Sequence, residues 1–296
     1  MPLFLLTLLA LGLLGGFFSG LLGIGGGIIM VPLLIFVPPL LGLHVIDIKT
    51  AAGITMVQSL AGSLSGLVAH HRNKYIHRDL ALSMGVPAVI GSLIGSVLSK
   101  HFSGYMFYAL FASLALLAAI MMLLPKREVN DDISTEDIAF NKPLAYLLAF
   151  IIGLAGGIIG QGGAFIVIPV MLYILKIPTK LALGSSVVIS FMTALAGFIG
   201  KWGTGQIPLL MAAAVAFGAV IGAQFGGLAA KRLQTKVLRG ILATLIAGTA
   251  LKMWYGLSMR LFVSVASVLL IWIGFVIHNR ALQRMKNEET SRQSSA

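Results

Sequence analysis

The chain has 296 residues, 58% of them hydrophobic and 10% charged, with a mean hydropathy of +1.00; this balance excludes a water-soluble domain and a disordered chain and specifies an integral membrane protein. It has no cysteine, which removes disulfides, thiolate catalysis and cysteine-held metal clusters. The formal net charge of +12 has to be placed against a bilayer before it is read as affinity for nucleic acid.

A helix needs about twenty apolar residues to cross the hydrocarbon. In chain order the apolar segments fall near 3–22, 28–43, 51–70, 80–99 and 103–124, then 144–159, 164–176, 181–200, 207–229, 238–255 and 261–278. The first lacks a basic start and reads as a span, not a removable signal peptide. If the chain changes sides at each segment, sixteen of the twenty-one Lys and Arg residues fall on one side. The other side keeps Lys49, Lys100, Lys201, Lys252 and Arg260. The positive-inside rule then places the N-terminus outside and the C-terminus in the cytoplasm of a multi-pass cytoplasmic (inner) membrane protein. Spread over many short loops, these cations form no patch for nucleic acid.

The polar stretch Pro125 to Pro143 separates two halves of similar length. GLLGIGGGIIMVP (Gly20 to Pro32) aligns with GIIGQGGAFIVIP (Gly157 to Pro169) at an offset of 137, and the later segments align at 131, matching Gly53 with Gly184, Ser59 with Ser190, Gly66 with Gly197 and Gly95 with Gly226. Five segments per half is an odd number, so the second half enters from the opposite side. The expected fold is an all-α polytopic membrane protein. It comprises a first transmembrane repeat over 1–124, a cytoplasmic linker over 125–143, a second, inverted repeat over 144–256, one extra C-terminal transmembrane helix over 257–279 and a cytoplasmic tail over 280–296. Inverted repeats suit a transporter whose halves rock about a site near the midplane.

The glycine runs predict helix breaks, with new helices opening at about Ile28 and Ala164. Irregular backbone in a membrane must line a cavity or be buried in protein. Free N–H groups at the helix starts favour an anion, and glycine lets it approach the backbone. This makes Gly25, Gly26, Gly27, Gly160, Gln161, Gly162 and Gly163 candidate substrate-binding residues, the alternative being that the glycines serve close helix crossing. The short second-half segments favour hairpins that turn back within the bilayer.

Thr55, Gln58 and Ser59 in one half and Ser185, Ser186 and Ser190 in the other add uncharged polar groups. Thr55 and Ser59, like Ser186 and Ser190, are four apart and share a helix face. Their alternative is hydrogen bonding to their own backbone or to a neighbouring helix. No Asp, Glu, Lys or Arg falls within a segment except at ends such as Lys201 and Lys252, so proton coupling has no evident carrier. His70, His71 and His77 read as anchors of a basic loop, with no metal site and no cofactor expected.

The paired GxGGG and GxGG motifs with their following prolines, the later GIT and GSS turns and the two-half layout resemble the sulfite exporter TauE/SafE family of bacterial membrane permeases, over residues 4 to about 278. The first half has Gly53-Ile54-Thr55 where that family usually shows a Gly-Thr-Ser type turn. The resemblance implies a secondary transporter of small sulfur-containing anions such as sulfite or an organosulfonate. The expected partners are that anion and the lipid bilayer. No convergent acid, base or nucleophile suggests an enzyme; an anion channel and an intramembrane enzyme acting on lipid are the alternatives.

Overall fold

A computed structural model describes residues 2–22, 27–70, 77–123, 140–161 and 163–230, with positions 240, 244, 247–249, 251, 253 and 254. Residues up to Met253 form one compact unit, and Trp254–Ala296 form a second. The expected C-terminal helix and tail lie outside the described residues, as does most of the linker.

The described elements are helical. They are α1 (Pro2–Leu22), α2 (Gly27–Leu40), α3 (Ile48–His70), α4 (Arg78–Leu98) with a 3-10 turn at Ser99–His101, α5 (Gly104–Leu123), α6 (Lys142–Ile159), α7 (Ala164–Pro169) running into a π turn at Val170–Ile174, α8 (Thr179–Gly203) and α9 (Leu209–Ala230). Among the described residues six helices are long and apolar enough to cross a membrane: α1, α4, α5, α6, α8 and α9. The chain is thus an all-α polytopic membrane protein. α2, at 14 residues, is only about 21 Å long at 1.5 Å per residue and cannot span a core of about 30 Å. α7 is shorter still, and the π turn follows directly on Pro169, which has no N–H to continue the α-helical ladder.

Helix starts follow local chemistry. Asn141 accepts the N–H of Leu144 at 3.1 Å, with Pro143 in the first turn where its missing N–H costs nothing. The α6 helix therefore takes the last two residues expected in the linker. His77, expected to anchor a loop, caps α4: its Nδ1 accepts the N–H of Leu80 at 3.1 Å. α2 stops three residues short of the expected end, where Gly42 turns left-handed at φ 68°.

Two close crossings organise the bundle, α1 on α9 and α4 on α6, with α3 and α8 between them. Gly16 and Gly20 of α1 lie on the carbonyls of Ala219 and Ala223 in α9, while Gly222 and Gly226 of α9 lie on those of Leu13 and Phe17. In the other crossing Gly153 and Gly157 of α6 lie on Ala88 and Ser92, and Gly91 and Gly95 of α4 lie on Phe150 and Leu154. Adding 137 to each α1 residue and subtracting 131 from each α9 residue turns the first set into the second. A Cβ at any of these glycines would meet a carbonyl oxygen. Such small-residue seams let helices gain dispersion contacts that lipid would otherwise supply. The buried share of the apolar stretch is 67% in α8 against 39% in α1, α5 and α9, which puts α8 inside and those three at the lipid boundary.

Candidate functional site

The second glycine break is fixed by backbone conformation. Gly160 caps α6 at φ 86°, its own N–H and that of Gln161 donating to the Gly156 carbonyl at 2.9 and 3.0 Å. Gly163 opens α7 at φ 74°, its carbonyl receiving the N–H groups of Ile166 and Val167. Side chains rarely tolerate this left-handed region. Both glycines are also hemmed in, Gly160 by the Ala52 carbonyl of α3 and Gly163 by Ile152, so these two hold the break in shape. Gly25, Gly26 and Gly162 lie outside the described residues.

Gly27, the first residue of α2, lies against the side chain of Gln161: a Cβ on Gly27 would come within 2.7 Å of Gln161 Cγ. The breaks of the two halves therefore meet. Complete spans would have left 23–27 and 160–163 on opposite membrane faces. Gln161 is 2% exposed, and its amide nitrogen and oxygen are both buried with no hydrogen-bond partner among the described residues. Burying an amide without partners costs roughly 1–3 kcal/mol on mutational scales, which makes this amide an anomaly needing a ligand or water.

The small polar groups of α3 and α8 are buried throughout: Thr55, Gln58, Ser59, Ser185, Ser186 and Ser190 are each at most 4% exposed. Several hydroxyl protons are committed to their own helix. Thr55 Oγ1 donates to the carbonyls of Ala51 or Ala52, at 3.0 and 3.2 Å, and Ser190 Oγ to that of Ser186 at 2.6 Å. To donate to an anion these hydroxyls would have to rotate and give up those bonds. Ser185 Oγ accepts the backbone N–H of His77 at 3.2 Å and so ties the start of α4 to α8. Thr55 and Gly160 share the Ala52 carbonyl, one as its donor and one in contact. This places Thr55 beside the break with Gly27 and Gln161.

A second polar cluster has no counterpart among the sequence candidates. Lys201, expected at a segment end, lies in the last turn of α8 and is fully buried. Its Nζ donates to Ser99 Oγ at 2.9 Å and lies 3.4 Å from Gln206 Oε1 and 5.6 Å from the centre of the Phe107 ring. Ser92, Ser96 and Ser99, all buried, continue the seam, with Ser92 and Ser96 against Gly197 and Gly200 of α8. The 4-3 spacing of these serines was the available signal. An ammonium held from water costs several kcal/mol unless compensated.

Long apolar helices, the short helices α2 and α7, and helix starts that approach each other inside the protein define a polytopic membrane protein. Residues 8–253 match the sulfite exporter TauE/SafE family, and the chain belongs to that family of membrane transporters. It is 26% identical over 246 residues to the probable membrane transporter protein YunE of Bacillus subtilis, covering 78% of this chain and 90% of the relative. It is 28% identical over 263 residues to the probable membrane transporter protein YdhB of the same organism, covering 84% and 99%. A probable membrane transporter protein of Haemophilus influenzae is 27% identical over 215 residues, covering 69% and 78%. No solved structure matches the chain.

Proposed function

We propose that the protein is a secondary transporter that carries a small sulfur-containing anion, sulfite or an organosulfonate, across the cytoplasmic membrane by alternating access. The observation that carries this reading is the buried amide of Gln161 against Gly27. It supplies an uncharged N–H donor beside the start of α2, where free backbone N–H groups and the positive helix end favour a negative ligand. Gly25, Gly26 and Gly162 complete the cradle in this reading, and Thr55, Gln58, Ser59, Ser185, Ser186 and Ser190 line its approaches. Bound here, an oxyanion exchanges water for neutral donors, which keeps it releasable.

Alternating access is supported by the two glycine crossings built from corresponding residues. Two halves over 1–124 and 144–256, related as inverted repeats, can exchange conformations so that each crossing takes the role of the other. The charge bias supports an external N-terminus and a cytoplasmic C-terminus. Saturable counterflow of radiolabelled sulfite or thiosulfate in proteoliposomes tests the proposal. Flux that grows linearly with concentration and shows no exchange would favour a channel, and chemical conversion of lipid or anion would favour an enzyme.

A further inference from the structure

The site above uses no cationic side chain, yet the bundle interior holds a lysine. Lys201 is fully buried between α8, the turn after α4, α5 and the loop before α9, and its polar neighbours are the neutral Ser99 and Gln206. Only two carboxylates fall among the described residues. Asp79 pairs with Lys142 at 2.8 Å, and Asp47 accepts the N–H groups of Lys49 and Thr50 at the start of α3. Neither lies within ion-pair distance of Lys201. The other charges near this end are cationic: Lys49 Nζ reaches the carbonyl of Lys100 at 3.4 Å, one residue beyond Ser99. Lys49 and Lys100 outnumber the single carboxylate of Asp47 at this end, so the balance of charge favours anions.

Lys201 also continues the polar stripe of α8. Ser186, Ser190, Gly197 and Lys201 follow one another at multiples close to the helical turn, on one face of the helix. Across from its last two turns stand Ser92, Ser96 and Ser99, whose hydroxyls donate to the carbonyls of Thr193, Leu93 and Ser96, so the strongest donor on the seam is the amine of Lys201 at its end.

We propose that Lys201, with Ser99 and Gln206, is a second anion-binding site: a charged way-station at the end of the bundle where Lys49 and Lys100 gather. This rests on the anion-transport reading above and adds the charge that the Gln161 site lacks. An arriving oxyanion takes the ammonium from Ser99 and Gln206, which keep the partners they already have, Ser99 Oγ donating to Gln206 Oε1 at 2.8 Å or to the Ser96 carbonyl at 2.6 Å. A buried charge favours a dianion over a monoanion of similar shape more strongly than neutral donors do.

The test is equilibrium binding of sulfate, thiosulfate, hydrogen sulfite and methanesulfonate to the purified full-length protein, with thermal midpoints recorded alongside. Lys201→Met keeps the volume and removes the charge, and Lys201→Arg keeps the charge. For each anion that the wild type binds, Lys201→Met is expected to raise Kd at least tenfold, with a larger rise for the dianions. Lys201→Arg is expected to stay within about threefold. An unchanged Kd in a stable Lys201→Met protein makes Lys201 a packed residue and overturns the inference while leaving the transport reading intact. Equal losses in both variants with lowered midpoints assign it to folding and overturn the inference too. If the wild type binds none of the four anions, the transport reading itself fails and the inference falls with it.

Discussion

Gln161 occupies the space that a side chain on Gly27 would need, so the two helix breaks, 134 residues apart in the chain, share one interior point. The contact is asymmetric. The repeat register sets Ile24 opposite Gln161, so one half supplies the amide and the other supplies the helix start that faces it.

This asymmetry sets the first prediction. A buried amide without partners destabilises the protein in which it sits, and Gln161→Met retains the shape while removing the cost. The variant is expected to be as stable as the wild type or more so, by up to about 1–3 kcal/mol, and to lose anion counterflow. Thermal unfolding and proteoliposome flux measured on the same preparation check it. A variant that transports normally would show that the amide plays no part in binding.

The second prediction concerns the crossings. Gly16→Ala and Gly153→Ala place a methyl on the carbonyls of Ala219 and Ala88 respectively, and overpacking of this kind costs roughly 1–3 kcal/mol or more. Because the two contacts correspond, the losses in the yield of monodisperse protein should be similar. Gly227→Ala, with nothing within 4 Å of the added methyl, should be neutral or stabilising by up to about 1 kcal/mol through helix propensity. Fluorescence-detected size-exclusion profiles after heating separate the three.

Much of this architecture is legible in the sequence. The helix ends at Leu22 and Ile159 and the helix starts at Gly27 and Ala164 follow from glycine density, and among the aligned glycines the pairs Gly20 with Gly157 and Gly95 with Gly226 are crossing contacts. The alternative that glycines serve crossing thus holds for Gly20 and Gly157, while Gly160 and Gly163 shape the break itself. Lys201 ends the hydropathy run and does sit in the last turn of α8, two residues before Gly203; what a hydropathy run does not show is that this end is buried. Ser92, Ser96 and Ser99 went unread because single hydroxyls in apolar text mark neither a span nor a loop. Their meaning comes from Gly197 and Gly200 on another helix.

Topology gives the third prediction. The chain has no cysteine, so single cysteines report without background. Gly203→Cys, at an exposed position with open space around it, should react with an impermeant maleimide in intact cells. Asn130→Cys in the charged stretch should react only after the membrane is opened. The opposite pattern would invert the orientation inferred from the sixteen-to-five split of cations.

The last prediction ranks the polar groups by how free their protons are. Thr55 and Ser190 already donate to backbone carbonyls, so each must give up one hydrogen bond to make another, and the net exchange is worth little. Thr55→Val and Ser190→Ala should therefore weaken anion binding by no more than about 0.5–1.5 kcal/mol, the net value of a single hydrogen bond. Gln161 has no such bond to surrender, and Gln161→Met should cost about 1.5–3 kcal/mol because the lost bond is to a charged group. With helix ends contributing about 0.3–2 kcal/mol each, the wild type should bind in the micromolar to millimolar range, about 4 to 8 kcal/mol. Titration calorimetry of the wild type and the three variants against one anion measures the order directly. If Thr55→Val or Ser190→Ala costs more than Gln161→Met, the anion sits on the hydroxyl faces of α3 and α8, away from the meeting point of the glycine breaks.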